Sequence, residues 1–556
     1  MPHPDLVITH ARILTMDADA PRAGAVAVQG GRILAVGTDA QILALVGPQT
    51  RVINAQGRSL LPGFVESHMH LFAGGAELSH LQLAGVRGER DLTARVRAYA
   101  AGRTEAVILC QAMDYAILGD APLTRHVLDR VLADRPLLLT AQDHHTMWAN
   151  TAALRAAGIL GGHATPPGSE VVMGDDGLAT GELREAPAFG PVLRFAGADR
   201  SRLGLDTGGE PDPAPDAAAR ALDCAAIKAG LDHAVRHGIT SITNMDGNLY
   251  TLQLLDALRG QGALSARVKV PFHFKNFMEI ERLEMASQMA RDWQDDWLSA
   301  GFVKLFMDGV IDSGTAVMID DYPDQPGWRG EPLFAPAHFA EIATEIDRRG
   351  LQIAVHAIGD GAVRTVLDGY AAARAANGAR DSRHRIEHIE VIHPDDIARF
   401  KALGVMASMQ PPHPPGAMDF PLEPTISRIG QARWGYAYPW AALQRAGAVL
   451  AFASDWPVSD INPLRGIQAA LTRQPWAVAD PDQRIGLMAT LAAYTLGGAY
   501  GEHAEDHKGM VRVGYLADLV LLSGDIEAVA HDEIGAMAVD LTICGGQITF
   551  DRLGQL

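Results

Sequence analysis

What most constrains this chain is a repeat of short apolar runs, each followed by an amphipathic stretch. The runs include PLLLTAQ (136–142), GITSITNM (238–245), VKVPFHF (268–274), FVKLFMDG (302–309), LQIAVHAIGD (351–360), HRIEHIEVI (384–392), VMASMQPP (405–412) and VLAFASDWPV (449–458). Between them lie segments such as PAHFAEIATEIDRRG (336–350) and AVRTVLDGYAAARAANG (362–378). Near-continuous apolar strands alternating with helices specify a parallel sheet covered on both faces. At 556 residues, the expected α/β fold is a (β/α)8 TIM barrel with insertions. LPGFVESH and AVILCQ (106–111) raise the candidate strands to ten, two more than a barrel holds. AVILCQ and one other are expected in insertions. The stretch 160–216, with TPPGS and EPDPAPD, is rich in Gly, Pro and Asp and reads as an insertion or lid.

The two ends of the chain echo each other. AVAVQGGRILAVG (25–37) is two short β runs around Gly30-Gly31, and LTICGGQITF (541–550) repeats the pattern around Gly545-Gly546. ADLVLLS (517–523) adds a strand. The expectation is a small β-sandwich domain built from 1–61 and 501–556, with the barrel, 62–500, between them.

Several function classes are disfavoured. The net charge is −19, from 47 basic and 66 acidic residues, unlike the clustered basic footprint of a nucleic-acid binder. Cys110, Cys224 and Cys544 are too far apart in sequence for a disulfide framework or a thiolate zinc site, and a reducing cytoplasm fits. MPHPDLVITH lacks a signal-peptide pattern, and no run of about 18 uncharged apolar residues suggests a membrane span. A small-molecule substrate in the cytoplasm is expected, with neither nucleic acid nor membrane as partner.

Active sites of such barrels are built at the C-terminal strand ends. Residues 63–72 read GFVESHMHLF, and residues i and i+2 of a strand share a face, so His68 and His70 aim at one point. FVKLFMDG carries Lys304 and then Asp308. LQIAVHAIGD ends in His356, RIEHIEV carries His388, and VLAFASDWP ends in Asp455. Singly, each has a plain structural reading: a lysine snorkelling to water, a hydrogen-bonded core histidine, an aspartate capping a helix. Jointly, four imidazoles, a lysine and a carboxylate on one ring of strand ends are costly to bury without purpose. Their nitrogen and oxygen donors suit zinc and admit Fe, Mn, Ni or Co.

PGFVESHMH, VKLFMDG, VHAIGD, RIEHIEV and ASDWPV together resemble the amidohydrolase superfamily of metal-dependent hydrolases, in the branch that holds N-substituted formamide deformylase. LLLTAQDHHTMWANTAAL, TGELRE (180–185), MQPPHPP (409–415) and AEDHKGMVRVGYLADLVLLS (504–523) extend the likeness from about residue 5 to 550. The resemblance implies one or two divalent ions, zinc first among them. His68 and His70 then bind one ion and His356 and His388 the other. Lys304 stands where a carboxylated lysine often bridges them, and Asp455 touches metal and takes a proton from the attacking water. A homodimer is also expected. Two positions depart from the pattern: His144 stands beside the matching His145, and Thr243-Asn244 replaces a His-Asp pair.

The chemistry expected is hydrolysis of a C–N bond in a small amide, formamide, urea or cyclic amide by metal-activated water. Asp455 serves as general acid–base and His145 is a second catalytic candidate, with His145 or His413 holding the oxyanion. His145, Trp148, Asn150, Asp308 and His413 are the substrate-binding candidates, and Trp328 and Trp434 are candidate covers. A single-metal aminohydrolase, with no bridging role for Lys304, and a non-catalytic assembly or binding protein of the same fold remain as alternatives.

Overall fold

A computed structural model describes residues 3–166 and 168–554. Parallel strands follow one another around the centre in chain order: β1 (Phe64–Met69), β2 (Ile239–Asn244), β3 (Arg267–Lys269), β4 (Phe302–Phe306), β5 (Gln352–Ala357), β6 (Arg385–His388), β7 (Met406–Met409) and β8 (Leu450–Phe452). They form two ladders. One joins β1, β2, β3 and Leu298–Ser299; the other joins Phe272–His273 to β4 through β8. The split falls at Val270-Pro271 and at Ala300-Gly301, where proline lacks the N–H a ladder needs and Gly301 has φ 108°. Between β8 and β1, the Asp455 N–H donates to the His68 carbonyl (2.9 Å) and the His70 N–H to that of Trp456 (2.8 Å). This is a TIM-barrel-type arrangement in two ladders, with a second domain beside it.

Helices cover the strands by the usual amphipathic rule. In Pro336–Arg348, Phe339, Ile342, Ala343 and Ile346 recur every three or four residues and form the buried face. The neighbouring helix, Asp360–Asn377, buries Val363, Val366, Leu367 and Tyr370. The two approach closely at Gly369, where an added Cβ would lie 2.5 Å from the Phe339 ring. Even Gly369→Ala forces them apart.

The two surplus candidate strands are AVILCQ and PLLLTAQ. Ile108–Met113 and Leu137–Ala141 lie in a separate mixed sheet with Leu81–Gln82, Thr146–Ala149, Ala179–Arg184 and Glu170–Met173. This extra sheet begins well before residue 160. The 160–216 segment supplies two of its strands and the helix Ala186–Ala196.

At the chain ends both Gly-Gly hairpins form. Gly30, Gly31, Gly545 and Gly546 all have positive φ, as such two-residue turns require. The turns also touch: a Cβ on Gly31 would lie 3.0 Å from the Gly545 carbonyl oxygen. Leu519–Leu522 pairs antiparallel with Ser59–Pro62, so both ends of the chain share a sheet. Ile8, Val26 and Ile53 of one terminal sheet share an apolar cluster with Ile13, Leu60, Leu519 and Ile543 of the other. No helix among the described residues is long and apolar enough to cross a membrane.

Candidate metal centre and substrate pocket

The C-terminal strand ends open into a cavity of about 390 Å³. Its walls include His68, His70, His356, His388, His413 and Asp455. His68, His388 and Asp455 are buried and offer ligand atoms all within 4.8 Å of one another. Asp455 Oδ1 lies 3.3 Å from His68 Nε2 and 3.2 Å from His70 Nε2. The His356 and His388 ring centroids are 4.5 Å apart.

Three of the cavity-floor imidazoles are turned by a hydrogen-bond partner on one ring nitrogen. His68 Nδ1 lies 2.7 Å from Glu387 Oε2, His388 Nδ1 lies 2.9 Å from Gln410 Oε1, and His356 Nε2 lies 3.1 Å from the Gly309 carbonyl. Glu387 is anchored beneath by Arg385, two residues back on the same strand face, and burial is offset enough by that guanidinium and by His68 to hold its carboxyl down at about 2. Burial keeps His356 and His388 well below the ordinary histidine value, so both are neutral and fit for ligation. Burial alone would raise the Asp455 carboxyl; His68, followed by His70 and His388, reverses this and holds it well below the carboxylate range. Burial also brings Lys304 down to about 8. The backbone is strained here: His144, Glu185, His388 and Asp455 are all non-glycine residues with φ of 61–75°, each costing of order 1–3 kcal/mol.

A divalent cation fits this donor set. His68 Nε2, Lys304 Nζ, His413 Nε2 and Asp455 Oδ1 are buried and have no hydrogen-bond partner. Leaving such atoms unpaired costs about 1–3 kcal/mol each, and imidazole nitrogens with a carboxylate oxygen are the donors a zinc-like ion takes.

Higher on the wall, His145 Nδ1 lies 2.9 Å from Glu185 Oε2, and its ring is 5.9 Å from that of His356. Burial opposes its charge, but the Glu185 carboxylate prevails and raises it to about 9. His413 stacks on His388 (9° between planes), with Nε2 3.9 Å from Asp455 Oδ2. Asp308 lines the cavity, but its oxygens accept the N–H groups of Val317, Ile358 and Gly359 and so tie loops together. Burial raises its carboxyl to about 7. Phe189, Phe274, Phe306, Phe334 and Phe420 supply apolar wall, and Phe277 stands exposed at the rim.

Two substrate-binding expectations need correction. Trp148 is buried with Cys110, Leu137 and Leu139 and meets Tyr115 edge-on; it lines no part of the cavity. Asn150 is also absent from the wall. It caps the helix Thr151–Ala156 and donates to the Leu132 and Arg135 carbonyls. Both serve the extra sheet's core, since the strand Thr146–Ala149 runs away from the barrel mouth into that sheet. The indoles of Trp328 and Trp434 donate to the Gly314 and Ile426 carbonyls, and neither reaches the cavity. His144 is buried 3.6 Å from Glu77. Thr243 donates to Glu502, and Asn244 accepts from the Leu71 N–H.

Sequence reasoning missed Glu387, Gln410 and the role of Glu185. Glu387 carried a signal: Arg385 and Glu387 put two charges on one face of an otherwise apolar strand.

The chain is 29% identical over 98% of its length to the protein LONG AFTER FAR-RED 3 of Arabidopsis thaliana, covering 91% of that protein. It is 25% identical to the N-substituted formamide deformylase of Arthrobacter pascens, covering 99% of each chain. A metal-dependent hydrolase of uncharacterised activity from Pyrococcus furiosus superposes with a TM-score of 0.69 at 25% identity, over 93% of this chain and 98% of that one. The family model described as "Amidohydrolase family" matches residues 51–550. This chain therefore belongs to the amidohydrolase family.

Proposed function

We propose that the protein hydrolyses a C–N bond of a small amide, formamide, urea or cyclic amide, using one or two divalent ions, zinc first among them. His68, His70, His356, His388 and Asp455 would hold the metal, with Lys304, as its carbamate, between two ions. The observation that carries this reading is the convergence of His68, His388 and Asp455, whose buried ligand atoms lie within 4.8 Å of one another at the cavity wall, with the buried, unpartnered Nζ of Lys304 near enough to feel the Asp455 charge. The bound ion supplies Lewis acidity, which water and an amide carbonyl both lack at neutral pH. Asp455, ionised and facing the cavity, accepts the proton of the attacking water and returns it to the departing nitrogen. His145, held cationic by Glu185, donates a hydrogen bond to the oxygen on which charge develops. The phenylalanines seat an uncharged, apolar part of the substrate and exclude water. The formamide deformylase relative supports an amide substrate. On the same reading, the two terminal sheets form one small β-sandwich, from 1–61 and 501–556, beside a barrel of 62–500.

The close set of His68, His388 and Asp455 favours a second reading, a single-metal aminohydrolase that does not use Lys304. Turnover of a panel of amides, formamides and ureas by zinc-loaded protein, read as amine release, tests the first reading. Ammonia release from amino-heterocycles tests the second. Loaded protein inert towards every member contradicts both.

A further inference from the structure

Among the histidines at the cavity floor, His70 breaks the pattern of a tied second nitrogen. Its Nε2 lies 3.2 Å from Asp455 Oδ1, but its Nδ1 is buried without a hydrogen-bond partner. On that side stands Asp246, with Oδ1 3.9 Å from His70 Nδ1. Both oxygens of Asp246 are also buried and unpartnered. Two other charged groups act on it: Arg202, whose Nε and Nη2 already bond Asp206 (3.1 and 3.2 Å), and Lys304, whose buried Nζ has no hydrogen-bond partner.

The backbone holds these two groups side by side. β1 and β2 pair in parallel with Met69 opposite Asn244, and the Met245 N–H donates to the Met69 carbonyl (2.8 Å). Asn244 clips the two strand ends together. Its Oδ1 accepts the Leu71 N–H (2.8 Å), and its amide donates to the Asp246 carbonyl. The chain is thus fixed on both sides of the gap. Bringing 3.9 Å to the about 2.9 Å of a hydrogen bond takes a shift of about 1 Å.

We propose that Asp246 is a positioning residue for His70: its carboxylate accepts the Nδ1–H, fixes the tautomer with the lone pair on Nε2, and aims that lone pair at the cation site. It does for His70 what Glu387 does for His68 and Gln410 for His388. Such outer partners set ring orientation and raise ligand basicity. The arrangement also satisfies two otherwise unpaired buried atoms, His70 Nδ1 and one Asp246 oxygen. This proposal rests on the metal-site reading given above.

The test is zinc affinity of metal-stripped protein, by competition with a chromophoric chelator, for wild type, His70→Ala, Asp246→Ala, Asp246→Asn and Asp246→Glu. The visible spectrum of the cobalt(II)-loaded proteins reads ligand geometry in parallel. Asp246→Ala is expected to weaken zinc binding about 10–100-fold, with a changed cobalt spectrum. Asp246→Asn keeps one acceptor and falls between, and Asp246→Glu recovers part of the loss. Unchanged zinc affinity and cobalt spectrum in Asp246→Ala overturn the proposal, including where only the melting temperature of the stripped protein falls. If Asp246→Ala does not fold, the isosteric Asp246→Asn decides by the same two readouts. Wild type that takes up no zinc, or His70→Ala that binds as tightly as wild type, overturns the metal-site reading itself and this proposal with it.

Discussion

Replacing Glu185 by glutamine isolates one charge pair on the pocket wall. His145 Nδ1 sits 2.9 Å from Glu185 Oε2, and both residues line the cavity. Burial alone would lower the His145 pKa, yet the carboxylate raises it from 6.5 to about 9. That difference of about 2.5 units corresponds to about 3 kcal/mol. Because the folded value is raised, the stabilisation is complete below pH 6.5 and is lost as pH climbs through about 9. In Glu185→Gln burial meets little opposition beyond Asp143, and the pKa falls to 6.5 or lower. At pH 8 the protonated fraction then drops from about nine-tenths to about 3% or less, so kcat/KM falls about 30-fold or more. The loss shrinks as the pH is lowered. The assay is kcat/KM from pH 5.5 to 9.5, with the alkaline limb moving from near 9 towards 6.5. Superimposable profiles would refute a cationic role for His145.

Asp455→Asn keeps the side chain's size but removes the proton acceptor; kcat is expected to fall about 10²–10⁴-fold, measured on protein whose metal content is known. Asn150→Ala strands the Leu137 and Ala153 N–H groups and the Leu132 and Arg135 carbonyls. At about 1–3 kcal/mol for each buried group, the melting temperature falls clearly, while kcat/KM at 25 °C stays at the wild-type value because the residue lies off the cavity.

The candidate metal ligands were legible because a barrel strand displays its chemistry at one end. His68, His356, His388 and Asp455 each close an apolar run, and the fold gathers those ends at one mouth. Trp148 and Asn150 were misplaced for a related reason. An apolar strand looks the same in a barrel and in an inserted sheet, and PLLLTAQ, which precedes them, belongs to the latter. Glu387 was legible in principle from the Arg385–Glu387 alternation. Asp246 was not. It lies two residues beyond its strand, and its neighbour His70 comes from a distant part of the chain, brought close only by the β1–β2 register.

Metal content per chain, by elemental analysis of wild type and Lys304→Ala, tests the central claim most directly. A bridged pair of ions at the strand ends predicts about two zinc-like ions in wild type, falling to about one or none in Lys304→Ala. About one ion in both proteins contradicts the bridge and favours the single-metal reading, and no metal in either contradicts the account as a whole.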